Sequence, residues 1–150
     1  MVSMEIFREY DIRGVVGKDF DNEFARDLGK TFASYVFKKT GESSPLVTVG
    51  FDARLSSVAL SDAMIDGLRS SGVRVVSLGL ITTPISYFSV FSIPNAAGAI
   101  MITGSHNPPE YNGFKISLGK STIFGEEIKK LYEIYSHGDF RSGQGSVDKY

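Results

Sequence analysis

Ala96-Ala97-Gly98-Ala99-Ile100-Met101-Ile102 runs directly into Thr103-Gly104-Ser105-His106-Asn107-Pro108-Pro109-Glu110-Tyr111-Asn112-Gly113-Phe114-Lys115. The first seven residues have no polar face, which predicts a strand buried on both sides, as in a parallel sheet covered by helices. The polar loop that follows is stiffened by Pro108 and Pro109, so its shape is set before any ligand arrives. A short strand-like segment, Phe114 to Ile116, resumes after it. A buried strand that ends in Gly-Ser-His-Asn places a hydroxyl, an imidazole and an amide beyond its carboxyl end. Open α/β sheets bind their ligands there.

The rest of the chain supplies the partners such a strand needs. Phe7 to Gly14 alternates apolar and polar side chains and predicts an extended segment. Asp21 or Asn22 caps a helix to about Lys39, with Phe24, Leu28, Phe32, Tyr35 and Val36 on one face and Gly41 after its end. That aromatic stripe reads as core. Leu46 to Phe51 is a strand ending in Gly50-Phe51-Asp52-Ala53-Arg54. Leu60, Met64 and Leu68 mark a second helix, Val73 to Leu80 a third strand, and Ile85 to Phe91 a short helix behind Pro84. Ile128, Leu131, Ile134 and Tyr135 give the last helix an apolar face. After His137 the apolar period is lost among Gly138, Gly143 and Gly145, so residues 137–150 read as a linker and 1–136 as the domain. Alternating strands and helices predict an α/β fold, a three-layer α/β/α arrangement on a mainly parallel (mixed) sheet. Its strand ends then gather Arg13, Arg54 and Ser105 on one rim.

Composition narrows the function. The 150 residues suit one domain, and the net charge of −1 argues against a general nucleic-acid binder. Without cysteine there is no disulfide framework and no thiolate metal site. The first ten residues carry charges and no apolar core of a leader, and Leu78 to Ile102 is broken by Pro84 and Pro94, so neither a signal peptide nor a membrane span is expected. The expected compartment is the cytoplasm.

Two tempting motifs fail on spacing. Gly119-Lys120-Ser121 resembles the end of a nucleotide P-loop, but that motif needs glycine at position 114, where Phe114 stands. No Gly-x-Gly-x-x-Gly follows a strand. Ser105 beside His106 suggests a hydrolase, yet Asn107 replaces the glycine of the nucleophile elbow, and adjacent residues in an extended loop point their side chains apart. Phosphoryl transfer fits better: it asks for an in-line nucleophile, cations around the phosphate oxygens and a proton-handling group. Ser105, Lys115, Arg13 and Arg54 offer those. Read on spacing alone, the same residues also serve a bland role, with Ser105 capping a turn and Lys115 solvated.

The loop from Thr103 to Lys115 closely resembles the phosphoserine loop of the α-D-phosphohexomutases, and within them the bacterial phosphomannomutase/phosphoglucomutase group. Phe7-Arg8-Glu9-Tyr10-Asp11-Ile12-Arg13-Gly14 resembles that family's opening segment, and Gly50-Phe51-Asp52-Ala53-Arg54-Leu55-Ser56 its second signature. The resemblance implies a first domain of the phosphohexomutase type and a reversible interconversion of hexose 1-phosphate and hexose 6-phosphate. The route runs through a phosphoserine and a bound hexose 1,6-bisphosphate. It implies Ser105 as the phosphorylated residue, with Mg²⁺ held through that phosphate. Lys115 and Arg13 would lie near the transferring phosphate, with Lys115 carrying the proton. His106 and Asn107 would support the loop, Tyr10 would line the cleft, and Arg54 would brace the rim. The family's other domains carry its metal loop, sugar recognition and phosphate clamp, and no Asp-x-Asp-x-Arg run occurs here. The implied partners are therefore hexose phosphates and the remaining mutase domains, and the isolated chain is expected to turn over little. Outside the enzymes, the alternatives are a non-catalytic sugar-phosphate or anion-binding module, or a scaffold domain using its aromatic surface.

Overall fold

The structure is a computed structural model that describes residues 1–150. In chain order it holds β1 (Ile12–Val15), α1 (Asn22–Thr40), β2 (Leu46–Phe51), α2 (Ser57–Arg69), β3 (Arg74–Leu80), α3 (Thr83–Ser92) and β4 (Ala96–Ile102). Then come β5 (Tyr111–Leu118), β6 (Ser121–Thr122), α4 (Glu126–His137) and β7 (Ser146–Lys149). One seven-stranded sheet runs β1-β5-β4-β2-β3-β7, with β6 paired to β5.

The sheet is mixed. β4, β2, β3 and β7 are mutually parallel, while β5 is antiparallel to both β1 and β4. Two antiparallel steps restore direction, so β1 runs in the same sense as β4 and its carboxyl end faces the same rim.

Local chemistry accounts for the elements. The Asp21 carboxylate accepts a hydrogen bond from the Phe24 amide and starts α1, and Gly41 ends it in the left-handed region at φ 69°. The apolar stripe of α1 is buried throughout. Alternation along the central strands sorts the two faces. Val47, Val49, Ile100 and Ile102 pack with α1, α2 and α4 in the main core. On the opposite face the Thr48 hydroxyl meets the Ser89 hydroxyl of α3 at 2.7 Å, and Leu46, Val76 and Ile93 make a second, smaller cluster. The result is the expected three layers.

α1 and α2 approach backbone to backbone. A Cβ on Gly67 would sit 2.0 Å from the Arg26 carbonyl oxygen, and one on Gly29 would sit 2.5 Å from that of Met64. No side chain fits in that crossing.

Three segments differ from their sequence-based description. Phe7–Gly14 is not extended throughout: the chain bends at Glu9–Tyr10, the Arg8 amide donates to the Asp11 carbonyl at 2.8 Å, and strand begins only at Ile12. β5 begins at Tyr111 and not at Phe114, so Asn112-Gly113, expected in the polar loop, is paired strand. Asn112 is fully buried, and its side-chain carbonyl accepts the Gly113 amide at 2.9 Å. Gly113 lets the Ile12 carbonyl come within 2.4 Å of where a Cβ would be. Here the glycine serves close approach and not a bend. The tail read as a linker is also ordered: β7 lies along β3 in register from Arg74↔Ser146 to Ser77↔Lys149. Gly138 caps α4 in the left-handed region at φ 66°, while Gly143 and Gly145 are contact glycines: a Cβ on Gly145 would meet the Val73 carbonyl at 1.9 Å and one on Gly143 would meet the Gly72 Cα at 3.0 Å. No helix is long and apolar enough to cross a membrane.

Candidate active site

β4 delivers Ser105 to the rim and the loop's own hydrogen bonds shape its tip. The Thr103 hydroxyl accepts the Ser105 amide at 2.9 Å, and the Asn107 amide donates to the Gly104 carbonyl at 3.0 Å. Ser105 itself is in the left-handed region, with φ 53°. A serine held there is disfavoured by sterics, so the surrounding contacts must enforce it.

Arg54, from the end of β2, does the enforcing. Its Nη1 donates to the carbonyls of Pro108 (2.6 Å) and Tyr111 (3.0 Å), and its Nη2 to those of Ser105 (3.0 Å) and Asn107 (2.7 Å). One planar guanidinium thus gathers four carbonyls that point inward around it. Gly104 is where it packs: a Cβ there would lie within 2.5 Å of the guanidinium carbon. Asp52 anchors the other side of the group, with Oδ2 3.3 Å from Nε. Burial pushes the Asp52 carboxyl up. Hydrogen bonds from the Ser57 hydroxyl, the Arg54 amide and the Thr103 hydroxyl, together with the Arg54 charge, outweigh that effect and hold it below the usual carboxylate range. Asn112 extends the brace to the start of α2, donating to the hydroxyls of Ser56 (2.8 Å) and Ser57 (2.9 Å).

The cationic side of the site comes from the antiparallel flank. Arg13 Nη2 lies 3.3 Å from Ser105 Oγ, and Nη1 donates to the Asn107 side-chain carbonyl. The same Nη2 pairs with Asp11 Oδ2, which also takes Lys115 Nζ at 3.4 Å. β-register explains the meeting: one step beyond Ile12↔Phe114, Asp11 stands across from Lys115, and Arg13 shares its face two residues on. Asp11 is buried, at 8% exposure.

Ser105, Arg13, Asn107, Lys115 and Arg54 therefore form one connected cluster. His106 is exposed at the mouth of a cleft of about 670 Å³ beside Ser105, whose far wall is Leu80, Ile81 and Ile85. Tyr10 stands apart: it is 68% exposed and meets Phe124 at a ring separation of 6.4 Å. Asp11, Asp52, Thr103 and Asn112 are site residues that the sequence reading did not single out. The alternation that placed Arg13 also placed Asp11, two residues earlier on the same face, and that was the available signal.

Against known families, residues 4–142 match the model described as phosphoglucomutase/phosphomannomutase, alpha/beta/alpha domain I. The chain belongs to this family. A phosphoglucomutase of Neisseria gonorrhoeae is 40% identical over 148 residues, covering 97% of this chain and 31% of the relative. A phosphomannomutase/phosphoglucomutase of Pseudomonas aeruginosa is 41% identical over 144 residues, covering 96% of this chain and 30% of its own length. The crystal structure of a phosphoglucomutase/phosphomannomutase family protein from Burkholderia thailandensis superposes with a TM-score of 0.93 at 41% identity, over all of this chain and 34% of that one. The chain thus spans about a third of the length of these relatives and corresponds to the family's first domain, with its mixed α/β/α architecture.

The family implies a metal, which would need several oxygen ligands at this site. No group of three or more His, Asp or Glu side chains converges anywhere in the chain. Asp11, which shares Arg13 Nη2 with Ser105 Oγ, is already engaged by two cations. A hard divalent ion takes six or more oxygen ligands, so these residues do not by themselves fit one.

Proposed function

We propose that this chain is the catalytic-serine domain of a phosphohexomutase that interconverts hexose 1-phosphate and hexose 6-phosphate. Residues 1–136 form its body. Residues 137–150, of which Ser146–Lys149 pairs with β3, are the connection toward the mutase's remaining domains. The observation that carries the proposal is Ser105 Oγ presented at a clamped loop tip, 3.3 Å from the Arg13 guanidinium.

The chain's residues would act as follows. With a phosphoryl group on Ser105, Arg13 faces its equatorial oxygens and spreads the charge that develops during transfer. A sugar hydroxyl attacks phosphorus, the P–Oγ bond breaks and a P–O bond to the sugar forms. The Lys115 ammonium gives a proton to the departing Ser105 oxygen and takes the sugar hydroxyl's proton in its place, so its charge is unchanged at the end of the step. The bound hexose 1,6-bisphosphate then turns over and returns its other phosphate to Ser105 by the reverse step. Asn107 orients Arg13 and His106 lines the approach for the sugar, while Tyr10, exposed and outside the cluster, would line the cleft only once the remaining domains close it. Arg54 touches no reacting atom in this scheme and positions the loop. Mg²⁺, with the Ser105 phosphate as one ligand, is the proposed metal. Its other ligands would have to come from outside this chain. The proposed compartment is the cytoplasm.

The experiment is to add glucose 1,6-bisphosphate to the whole protein and to this chain alone, and to locate the phosphoryl group by mass spectrometry. Phosphorylation at Ser105 in the whole protein, abolished in Ser105→Gly, is expected. Glycine is the appropriate control because it accepts φ 53° without strain. An unmodified Ser105 in the whole protein would leave an anion-binding module as the remaining interpretation.

A further inference from the structure

The phosphoryl-transfer scheme uses Arg13 and Lys115 but leaves Asp11 without a task, although Asp11 is the most buried charged group of the site. Its single oxygen Oδ2 holds both cations at once. That is a costly arrangement to keep if the carboxylate only fills space, since a desolvated charge must be offset by close partners.

We propose that Asp11 is the resident counter-ion of the site: it holds Arg13 and Lys115 in place and competes for them with the phosphoryl group carried at Ser105. The geometry makes the competition direct. Arg13 Nη2 serves both Asp11 Oδ2 and Ser105 Oγ, so a dianion on Ser105 and the Asp11 carboxylate share one donor. Both cannot keep it fully. As phosphate arrives, Arg13 turns from Asp11 toward it, and Lys115 remains as the partner that keeps Asp11 charged and compensated. When phosphate leaves, Asp11 takes Arg13 back. Without Asp11 the two cations would repel each other and hold the phosphate longer than turnover allows. Asn107 limits how far Arg13 can swing, because it takes the other nitrogen, Nη1. Arg13 Nε is buried with no partner, so the guanidinium is not locked on that side. Asp11 touches neither substrate nor the reacting atoms; it is a positioning residue. The inference rests on the function proposed above only in naming the anion as a phosphoryl group.

The test uses this chain and inorganic phosphate. Backbone amide resonances of Ser105, His106 and Asn107 are followed during phosphate titration of the wild type, Asp11→Asn and Asp11→Glu at matched low ionic strength. Two charges that share one nitrogen lie within about 6 Å, so removing the carboxylate at a surface-like dielectric should tighten phosphate binding by about tenfold. Asp11→Glu should return the affinity to near the wild-type value, which a purely steric role for Asp11 would not produce. The same tightening should shrink as salt is added. Equal or weaker phosphate binding by a folded Asp11→Asn overturns the proposal, as does the absence of any shift at Ser105 in all three proteins.

A second readout needs no variant. In the wild type, the Asp11 carboxyl carbon resonance should move as phosphate binds and Arg13 departs; a stationary resonance overturns the proposal even if Asp11→Asn fails to fold. The outcomes separate the two ideas. Tighter phosphate binding by Asp11→Asn, with no phosphorylation of Ser105 by glucose 1,6-bisphosphate, keeps the counter-ion and removes the mutase. Phosphorylation with unchanged phosphate affinity does the reverse.

Discussion

Replacing Arg54 with methionine keeps most of the apolar stem and removes only the guanidinium. Four carbonyls then lose their donor, those of Ser105, Asn107, Pro108 and Tyr111. A net contribution of about 1 kcal/mol for each hydrogen bond puts the ceiling near 4 kcal/mol. Asn107 is only half-buried and Pro108 exposed, so water can replace part of the loss, while the Arg54 side chain is itself only 14% exposed. The expected destabilisation is therefore about 2–4 kcal/mol, a large share of the stability of a domain this size. Asp52 moves the value toward the upper end of that range, because its carboxylate loses the cation beside it. Urea unfolding followed by circular dichroism measures the loss as a shift of the midpoint at constant slope. Arg54→Lys should recover less than half of it, since an ammonium cannot span four carbonyls in one plane. Amide exchange should rise most at residues 103–108. A loss below about 1 kcal/mol, the scale of an ordinary exposed ion pair, would refute the account of Arg54 as the clamp.

Other expectations follow from the same geometry. Gly67→Ala sets a methyl 2.0 Å from the Arg26 carbonyl and should cost about 3 kcal/mol or more in thermal or urea unfolding, against well under 1 kcal/mol for an alanine at an exposed helix position. Asp52 titrates below its unfolded value of 3.8. Its contribution is therefore complete above that value and lost as pH falls through the lower folded one, so the stability gap between wild type and Asp52→Asn should narrow below about pH 4. Tyr35 donates to Glu127 Oε2 at 2.6 Å, and its burial, reinforced by that carboxylate, pushes the phenol well above its ordinary value. The stabilisation is present below an unfolded value of 10.0 and is lost as pH rises toward the folded one; in a spectrophotometric titration one of the seven tyrosines should ionise only after the others. Tyr35→Phe should abolish that late step.

How much of this was readable in the chain depended on whether one kind of side chain implied one kind of structure. β4 was legible because two-sided burial leaves no polar position and a run such as Ala96 to Ile102 has few other homes, and β2 because Thr48 is the one polar residue in its buried run. α1 was legible because its cap, its stripe and Gly41 agree. Glycine was the ambiguous letter. At Gly41 it marks a left-handed turn, but at Gly113, Gly143 and Gly145 it marks backbone contact, and composition cannot tell the two apart. β7 was hidden for a further reason: Ser146-Val147-Asp148-Lys149 is exposed along its length and is held by backbone pairing that leaves no apolar pattern. The serine loop was identifiable as a site from its residues, yet its clamp was not. Only the folded chain turns four carbonyls toward Arg54 and lets two cations share a single Asp11 oxygen.

The crossing of α1 and α2 has a mechanical meaning. Where helices meet through long side chains, rotamers can shift and the pair can slide by a fraction of a turn. At Gly29 and Gly67 there are no rotamers to shift, and each backbone fills the notch left by the other. That layer has no soft joint. Strain introduced on the far side of the sheet cannot be absorbed by slippage beneath it, so it is either borne at the loop rim or passed on as motion of the whole body, in the way a stiff handle moves with the blade.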